Sequence, residues 1–270
     1  MDTNDVENYP GYPEGVNGPQ MMMEFRAQAE RFDTDIKSGY VTKVDFSGPT
    51  HKVWVDEKDM YEAHSIIIST GASAKWLGLK NEIRLRDLGG GVSACAVCDG
   101  FFYRGQEVAL VGAGDTAAEE ATYLAKMCKK VHMLVRRDEM RASKIMQQRV
   151  FDTENIEVHW NTETLDVLGD QTVEGIRVVN NQTKEESTIE VTGFFVAIGH
   201  KPNTGIFKGW LDMDDTGYLK HKPDSTHTNI EGVFVSGDAG DKVYRQAVTA
   251  AGTGCMAALD AERYLAAKGI

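Results

Sequence analysis

Short apolar runs alternate with a helical pattern in the middle of the chain. Residues 107–111 and 131–135 are apolar runs of the kind that form buried parallel strands. Between them, residues 116–126 are rich in alanine and glutamate, with apolar side chains at positions 117, 121, 124 and 125. This spacing predicts a helix that buries one face. The pattern therefore predicts a strand–helix–strand unit.

Further apolar runs on both sides of this unit also predict strands. They lie at residues 61–72, 156–191, 194–199 and 232–236, and a helix is predicted over 248–265. The first run leads into Thr70-Gly71 and the third into His200-Lys201, where we expect the chain to cross between domains. We therefore interpret the chain as an α/β protein with one domain inserted into another. The predicted limits are 1–74 and 202–270 for the outer domain and 75–201 for the inserted one.

The turn after the first central strand predicts a dinucleotide site. Gly112 permits a tight turn, and Gly114 allows a pyrophosphate to approach the backbone. The helix that begins near Asp115-Thr116 would direct amide groups at the anion. The predicted nicotinamide-nucleotide contacts are Gly112, Gly114, Asp115, Thr116, Arg136, Arg137 and Arg141.

The three arginines indicate which nucleotide binds. An NAD-binding fold usually has an acidic residue at the end of the second strand, whereas this chain has Arg136 and Arg137 there, with Arg141 close behind. Guanidinium groups in that place favour a 2′-phosphate, so we expect NADPH. The alternative is an ordinary solvated face.

A pair of cysteines precedes the nucleotide turn in Cys95-Ala-Val-Cys98-Asp99. A two-residue spacer suits a disulfide that opens and closes, and Asp99 is placed to exchange the proton. The alternative is half of a zinc site. Because the two remaining cysteines, Cys128 and Cys255, are isolated, redox chemistry is the preferred interpretation.

Composition excludes several other functions. The chain has 270 residues, 41% of them hydrophobic, and a formal net charge of -12, which argues against nucleic acid or an anionic membrane as a partner. It shows neither a signal peptide nor an apolar run long enough to span a bilayer, so we expect a cytoplasmic protein. The histidines show no metal-ligand spacing, and no metal site is expected.

Taken together, these motifs resemble those of the low-molecular-weight, flavin-containing thioredoxin reductases along nearly the whole chain. The matching stretches are Asp5-Val-Glu-Asn-Tyr-Pro-Gly, Thr70-Gly-Ala-Ser-Ala, Gly91-Val-Ser-Ala-Cys-Ala-Val-Cys-Asp-Gly-Phe-Phe, Gly112-Ala-Gly-Asp-Thr-Ala, Arg136-Arg-Asp, Ala197-Ile-Gly-His-Lys-Pro-Asn-Thr, Gly237-Asp-Ala and Tyr244-Arg-Gln-Ala. The resemblance implies two Rossmann-like three-layer nucleotide-binding domains, with an NADPH domain inserted into an FAD domain.

The resemblance also implies roles for individual residues. Electrons would pass from NADPH through FAD to the Cys95–Cys98 disulfide and on to thioredoxin. Cys98 would face the flavin, Cys95 would attack thioredoxin, and Asp99 would protonate the departing sulfur. The implied flavin contacts are Asn8, Thr70, Gly71, Gly237, Asp238, Arg245, Gln246 and Ala247. A homodimer, and rotation of the inserted domain about the two crossovers, are expected on the same basis.

The chain departs from this family at its start. Members begin with a strand, a glycine-rich turn and a helix that bind the ADP part of FAD, whereas Met1 falls beyond that unit. We therefore expect an FAD domain that is incomplete at its N-terminus. Two alternatives stay open: a flavin-free, NADPH-binding fragment without turnover, and a related flavin disulfide reductase with another acceptor.

Overall fold

A computed structural model describes residues 5–270 of the chain. In this part the strands are β1 Asp5–Val6, β2 Val16–Asn17, β3 Val41–Asp45, β4 His51–Val55, β5 Asp59–Ala63, β6 Ile66–Ile68, β7 Ala72–Ala74, β8 Val92–Ser93, β9 Glu107–Val111, β10 Lys130–Val135, β11 Ile156–Trp160, β12 Thr162–Leu168, β13 Gly175–Asn180, β14 Glu186–Ile189, β15 Gly193–Val196, β16 His200–Pro202 and β17 Val233–Val235. The helices are α1 Gly18–Glu30, α2 Lys80–Asp87, α3 Ala96–Asp99, α4 Asp115–Ala125, α5 Lys144–Phe151 and α6 Ala247–Lys268. Short 3-10 turns cover Gly100–Tyr103, Gly205–Phe207 and Gly237–Ala239. The predicted α/β class is confirmed.

The elements divide into two compact units. The first unit holds residues 5–8, Glu14–Pro19 and Ala74–Gly199, and the second holds Tyr9–Pro13, Gln20–Ser73 and His200–Ile270. The ribbon of β1 and β2 belongs to the first unit, whereas the sequence assigned it to the outer domain. The domain limits given above stay a prediction, and each unit is described by itself.

A five-stranded parallel sheet forms the centre of the first unit, in the order β11-β10-β9-β15-β8. Successive residues of β9 face opposite sides of the sheet, as the pleat of a strand requires. Val108 and Leu110 pack with α4 and α5, while Ala109 packs with the antiparallel strands β12 and β13. The predicted strand–helix–strand unit is confirmed as β9, α4 and β10.

Small side chains seat α4 on this sheet. Ala117, Ala118, Ala121 and Leu124 are fully buried, with the spacing expected for the inner face of a helix. Because alanine occupies little space, the helix approaches the sheet closely. This packing fixes the N-terminus of α4 at the turn that follows β9.

The second unit is built around a parallel pair of strands, β6 and β17. Val233 and Val235 face a core shared with the antiparallel sheet β3-β4-β5, whereas Phe234 faces Ala257 and Ala261 of α6. The predicted C-terminal helix is confirmed as α6, which has 22 residues. Among the helices of residues 5–270, none combines the length and apolarity needed to cross a membrane.

The single strand predicted over 61–72 is wrong. The chain forms β5, which pairs antiparallel with β4, and then β6, which pairs parallel with β17. The two strands belong to different sheets, so the backbone must leave one sheet at His64-Ser65 before it enters the other. Half-buried apolar residues, Ala63 and Ile66, lie on either side of the break, so the apolar pattern gives no sign of it.

Candidate redox and nucleotide-binding sites

The two cysteines of the C-x-x-C segment form a disulfide at the start of α3. Their Cα atoms are 5.3 Å apart. Cys95 is the N-cap of the helix, and its sulfur accepts a hydrogen bond from the backbone N–H of Cys98 at 3.2 Å. Ala96 is fully buried in the core that contains α4. The disulfide is therefore fixed to the helix that begins at the nucleotide turn.

Ser93 links Asp99 to the disulfide. Its hydroxyl donates to the Asp99 carboxylate and accepts from the backbone N–H of Cys95 at 3.0 Å. Ser93 is 7% exposed, so the hydrogen bonds are shielded from water. Sequence reasoning missed this residue. Its position two residues before Cys95 and six before Asp99 was the available signal.

Tyr103 packs against the hydrophobic core that contains Ala96 of the dithiol segment. Its ring packs edge-on against Phe195 at 5.5 Å. Burial, followed by the negative charges at Asp99 and Cys128, raises the pKa of Tyr103 to about 12. Tyr103 therefore stays neutral near pH 7 and acts as a packing group. Of these two residues, Asp99 is therefore the one that can exchange a proton near the disulfide.

Apolar side chains lie exposed near the disulfide. Val97 is located between the two cysteines and is 47% exposed, and Phe101 and Phe102 follow on the next turn with 58% and 43% exposed. The Arg104 guanidinium lies 5.2 Å from the centre of the Phe101 ring. Exposed aromatic side chains beside a reactive group are typical of a surface that meets a protein partner.

Two glycines shape the turn between β9 and α4. A Cβ atom at Gly112 would lie 2.4 Å from the carbonyl oxygen of Ala197 and 2.7 Å from the Cβ of Ala117, so only glycine fits there. A Cβ at Gly114 would meet no atom within 4 Å. The first glycine is thus required by packing, while the second borders open space at the N-terminus of α4.

The segment after β10 is fastened to this turn. The Asp115 carboxylate accepts a hydrogen bond from the backbone N–H of Ser143 at 2.8 Å, and hydrogen bonds from Ser143 lower the pKa of Asp115. The backbone N–H of Arg141 donates to the Ala113 carbonyl at 2.8 Å. Thr116 lies half-buried in the first helical turn. The structure therefore brings these predicted nucleotide contacts together, with Asp115 holding the loop that carries Arg141.

Arg136 and Arg137 line an open cavity of about 720 Å³ just beyond the end of β10. Asp138, Asn161, Glu163, Asn181 and Gln182 complete its lining. Neither arginine side chain forms an ion pair with a carboxylate within residues 5–270. Two guanidinium groups are therefore available to an anionic ligand. The sequence did not identify the two asparagines, which come from the loops after β11 and β13.

The predicted flavin contacts of the second unit meet at one edge of the parallel pair. Thr70 and Gly71 follow β6, and Gly237 follows β17. The hydroxyls of Ser69 and Ser236 lie 2.6 Å apart, which brings the two strand ends together. Ligands bind at this carboxyl edge in parallel α/β sheets.

Asp238 is the acidic group at this edge. It is half-buried, and burial, followed by the charge of Asp241, raises its pKa. Arg245 is held close by, since its backbone N–H donates to the Asp241 carboxylate at 3.1 Å. Gln246 caps α6, and Ala247 is its first residue. Among the described residues no hydrogen bond to the Asp238 carboxylate is formed, so a ligand can supply the donors.

Asn8 is the predicted flavin contact that falls outside this group. It follows β1 in the first unit, whereas the other seven belong to the second.

Comparison with known proteins identifies the family. The sequence pattern of the pyridine nucleotide-disulphide oxidoreductases matches residues 3–254. The thioredoxin reductase of Rickettsia conorii is 50% identical over 266 residues, which cover 97% of this chain and 85% of that protein. The thioredoxin reductase of Streptomyces coelicolor is 49% identical over 267 residues, covering 99% and 82%.

Solved structures agree with the sequence relatives. The thioredoxin reductase from Giardia duodenalis superposes with a TM-score of 0.91 at 40% identity, covering 98% of this chain and 86% of that one. The enzyme from Streptococcus pyogenes MGAS5005 gives the same TM-score at 35% identity, with the same coverage. The chain therefore belongs to the pyridine nucleotide-disulphide oxidoreductases and, among them, to the thioredoxin reductases.

Proposed function

We propose that this protein reduces the disulfide of thioredoxin with electrons from NADPH, through FAD and the Cys95–Cys98 pair. The observation that carries this proposal is the position of the disulfide. The disulfide lies at the start of α3, and Ala96 of α3 packs in the same core as α4, the helix that begins at the nucleotide turn. Family membership supports the same chemistry.

The first unit fits NADPH. Gly112 permits the close packing of the turn, and Gly114 leaves room for a pyrophosphate at the N-terminus of α4, where backbone N–H groups are available to an anion. Arg136, Arg137 and Arg141 would hold the 2′-phosphate, which distinguishes NADPH from NADH. The roles of Gly114, Arg136 and Arg137 rest on the open space beside Gly114 and on the cavity that the two arginines line, whereas Arg141 is assigned from its place in the sequence.

The edge of the parallel pair in the second unit fits a flavin nucleotide. Asp238 would accept hydrogen bonds from ligand hydroxyls, and Thr70, Gly71 and Gly237 would present backbone at the strand ends. Arg245, Gln246 and Ala247 would complete the contacts, and Asn8 is assigned to the same ligand from the family resemblance. A half-buried carboxylate with a raised pKa supports this assignment, because a hydrogen-bond donor there would relieve the cost of burial. When bound, the nicotinamide and the flavin supply the two electrons that reopen the Cys95–Cys98 disulfide.

The chain's own residues carry out the exchange with thioredoxin. In the reduced protein, the Cys95 thiolate attacks one sulfur of the substrate disulfide and forms a mixed disulfide. Asp99, which Ser93 holds in place, takes up the proton released when the Cys95 thiolate forms and returns it to the released thioredoxin sulfur. The Cys98 thiolate then attacks the Cys95 sulfur, expels the second thioredoxin sulfur as a thiolate that takes a proton from water, and closes the disulfide seen in the structure.

Several broader features belong to the same proposal. Val97, Phe101 and Phe102 would contact thioredoxin, because they are exposed beside the disulfide. A homodimer is expected from the family resemblance, and a cytoplasmic location from the sequence features described above, since a reducing compartment suits a dithiol that must be reopened.

The test is a visible absorption spectrum of the chain after incubation with FAD and desalting, followed by anaerobic addition of NADPH. We expect a retained flavin band that NADPH bleaches, and oxidised thioredoxin should then restore it. NADPH binding without retained flavin would support the flavin-free alternative. A bleached flavin that thioredoxin fails to reoxidise would indicate another acceptor.

A further inference from the structure

Two histidines and two glutamates meet on the face of the first unit's sheet that is opposite α4. Strand register explains why. His132 of β10 pairs with Glu157 of β11, and Leu134 pairs with His159. On the other side of β10, Lys130 pairs with Glu107 of β9. Paired residues of neighbouring strands share a face, and so do residues two apart. The four side chains therefore project from one side of three adjacent strands.

The distances between their polar atoms suit a single bound ion. His132 Nδ1 lies 3.0 Å from His159 Nε2. Glu157 places Oε1 at 3.6 Å from His159 Nε2 and Oε2 at 3.9 Å from His132 Nδ1. Metal–ligand bonds of roughly 2.0–2.2 Å put neighbouring ligand atoms roughly 3.0–3.5 Å apart. The two nitrogens already have this spacing, and a small rotation of the Glu157 carboxylate brings it within range.

Glu107 orients the His132 ring so that Nδ1 can bind an ion. Its Oε2 lies 3.4 Å from His132 Nε2, on the opposite side of the ring from His159. An Nε2–H that donates to Glu107 leaves the lone pair of Nδ1 directed at the space shared with His159. Metal-bound histidines commonly have such a carboxylate partner, which fixes the tautomer. His132 is 6% exposed, so its ring is also held by packing.

We propose that His132, His159 and Glu157 form a site for a divalent transition metal of the zinc class. Two imidazole nitrogens and one carboxylate are donors that Zn²⁺ accepts, whereas Mg²⁺ and Ca²⁺ prefer oxygen ligands alone. Lys130 forms an ion pair with Glu157 and competes for that carboxylate. In the metal-free chain the two histidines instead share a hydrogen bond.

The place of the site on the sheet indicates a stabilising role. The ligands lie on β10 and β11, and His132 pairs with Ala109 of β9, which faces the side of the sheet opposite α4. The ion would therefore join neighbouring strands on the face of the sheet opposite the helix that begins at the nucleotide turn. Metal binding should raise the thermal stability of the chain and leave its affinity for NADPH unchanged.

The probes are Co²⁺ and Zn²⁺ alone, added to tag-free, chelator-treated protein with its disulfide intact. We expect one Co²⁺ per chain, with visible d–d absorption, no thiolate-to-cobalt charge-transfer band, and displacement by Zn²⁺. Glu157→Gln and His159→Asn should each weaken Co²⁺ binding at least about tenfold. The control His64→Asn alters an exposed histidine of the second unit and should bind as the wild type does.

A second variant and a second measurement guard against misfolding. Lys130→Ala removes the competing ammonium group and should tighten Co²⁺ binding, and Zn²⁺ should raise the melting temperature of the wild type but not of His159→Asn. Each variant is first shown to bind NADPH normally. The proposal is overturned by Co²⁺ binding that is unaffected in both ligand variants, by a thiolate charge-transfer band, or by the absence of saturable binding.

Discussion

The two candidate nucleotide sites of this protein are built in different ways. In the first unit, the dithiol, the glycine turn and the arginines all come from residues 93–141 and lie on a five-stranded sheet. In the second unit, the contacts after β6 and after β17 are far apart in the chain. The hydroxyls of Ser69 and Ser236, which join those strand ends, are separated by 167 residues in sequence.

The hydrophobic cores that support the two sites also differ in size. The nucleotide turn rests on α4, which buries four residues against the sheet. The edge that carries Asp238 is supported by the two strands β6 and β17 and by α6. Within the described part of the chain, α6 buries only Ala257 and Ala261. A compact local site with its own core should keep its ligand when the other site is altered. The following substitutions test that independence.

The largest effect is expected for Cys98→Ser, because one cysteine alone cannot complete the exchange. NADPH-driven reduction of thioredoxin should be abolished, while NADPH binding and flavin retention stay at wild-type levels. The measurements are thioredoxin turnover and the two binding assays on the same preparation. Cys255→Ser, which removes an exposed free thiol, is the matched control and should turn over normally. Residual turnover in Cys98→Ser would contradict the proposed route.

Asp238→Ala should affect the second unit only. Removing a half-buried carboxylate that bonds a ligand costs about 1.5–3 kcal/mol, or about 10- to 150-fold in affinity. Flavin retained after desalting should fall accordingly, with NADPH affinity unchanged. Asp224→Ala, at an exposed position of the same unit, is the control. Equal losses of both ligands would show that the two sites are coupled.

Sequence alone predicted the first unit well because its signals are local. The run 107–111, the glycines at 112 and 114 and the alanine-rich helix lie next to one another, so periodicity and turn chemistry identified each of them. The dithiol was identified for the same reason. Ser93 was missed because a serine has no distinctive pattern, and its role appears only where its hydroxyl meets Asp99.

The rest depended on pairings that no local pattern encodes. The break at His64-Ser65 was missed because β5 and β6 join different sheets while the apolar pattern runs on. The cluster at His132 was not predicted because His132 lies on β10 while Glu157 and His159 lie on β11, so no single sequence motif contains all three. The flavin contacts were assigned through family resemblance, since residues after β6 and β17 become neighbours only in the folded sheet.

The double variant Arg136→Ala/Arg137→Ala is the counterpart of Asp238→Ala. Loss of charge-assisted hydrogen bonds to a 2′-phosphate should weaken NADPH binding about 10- to 100-fold. NADH binding should change little, so the preference between the two nucleotides should largely disappear, and flavin retention should be unaffected. Arg149→Ala removes an exposed arginine of α5 outside the cavity and serves as control. If the double variant still preferred NADPH over NADH, the 2′-phosphate would have to bind at other residues.

Ser93→Ala should have a smaller effect, within the redox segment itself. Without the hydroxyl, Asp99 loses the hydrogen bond from Ser93 and the Cys95 N–H loses its acceptor. We expect thioredoxin turnover to fall about tenfold, equivalent to about 1.4 kcal/mol, with the KM for thioredoxin and NADPH affinity unchanged. Ser93→Thr retains the hydroxyl and should restore most of the rate. If turnover of Ser93→Thr were as low as that of Ser93→Ala, the effect would come from the packing of the Ser93 side chain and not from the positioning of Asp99.

The smallest effect concerns the pH dependence of stability in the second unit. His51 on β4 is 4% exposed, with Nε2 3.0 Å from the carbonyl oxygen of Glu231. Burial lowers its pKa, and the hydrogen bond to Glu231 only partly opposes this shift. As the pH falls below about 6.5, the unfolded chain takes up a proton that the folded chain resists.

The stability that neutral His51 contributes is therefore complete above that pH and is lost progressively as the solution becomes more acidic. His51→Gln should make the free energy of unfolding in urea fall less steeply between about pH 7 and about pH 5. His221→Gln, at an exposed position of the same unit, should keep the wild-type slope. An identical slope in His51→Gln would contradict this assignment. NADPH affinity should show the same pH dependence in both variants, because the nucleotide site rests on the core of the other unit.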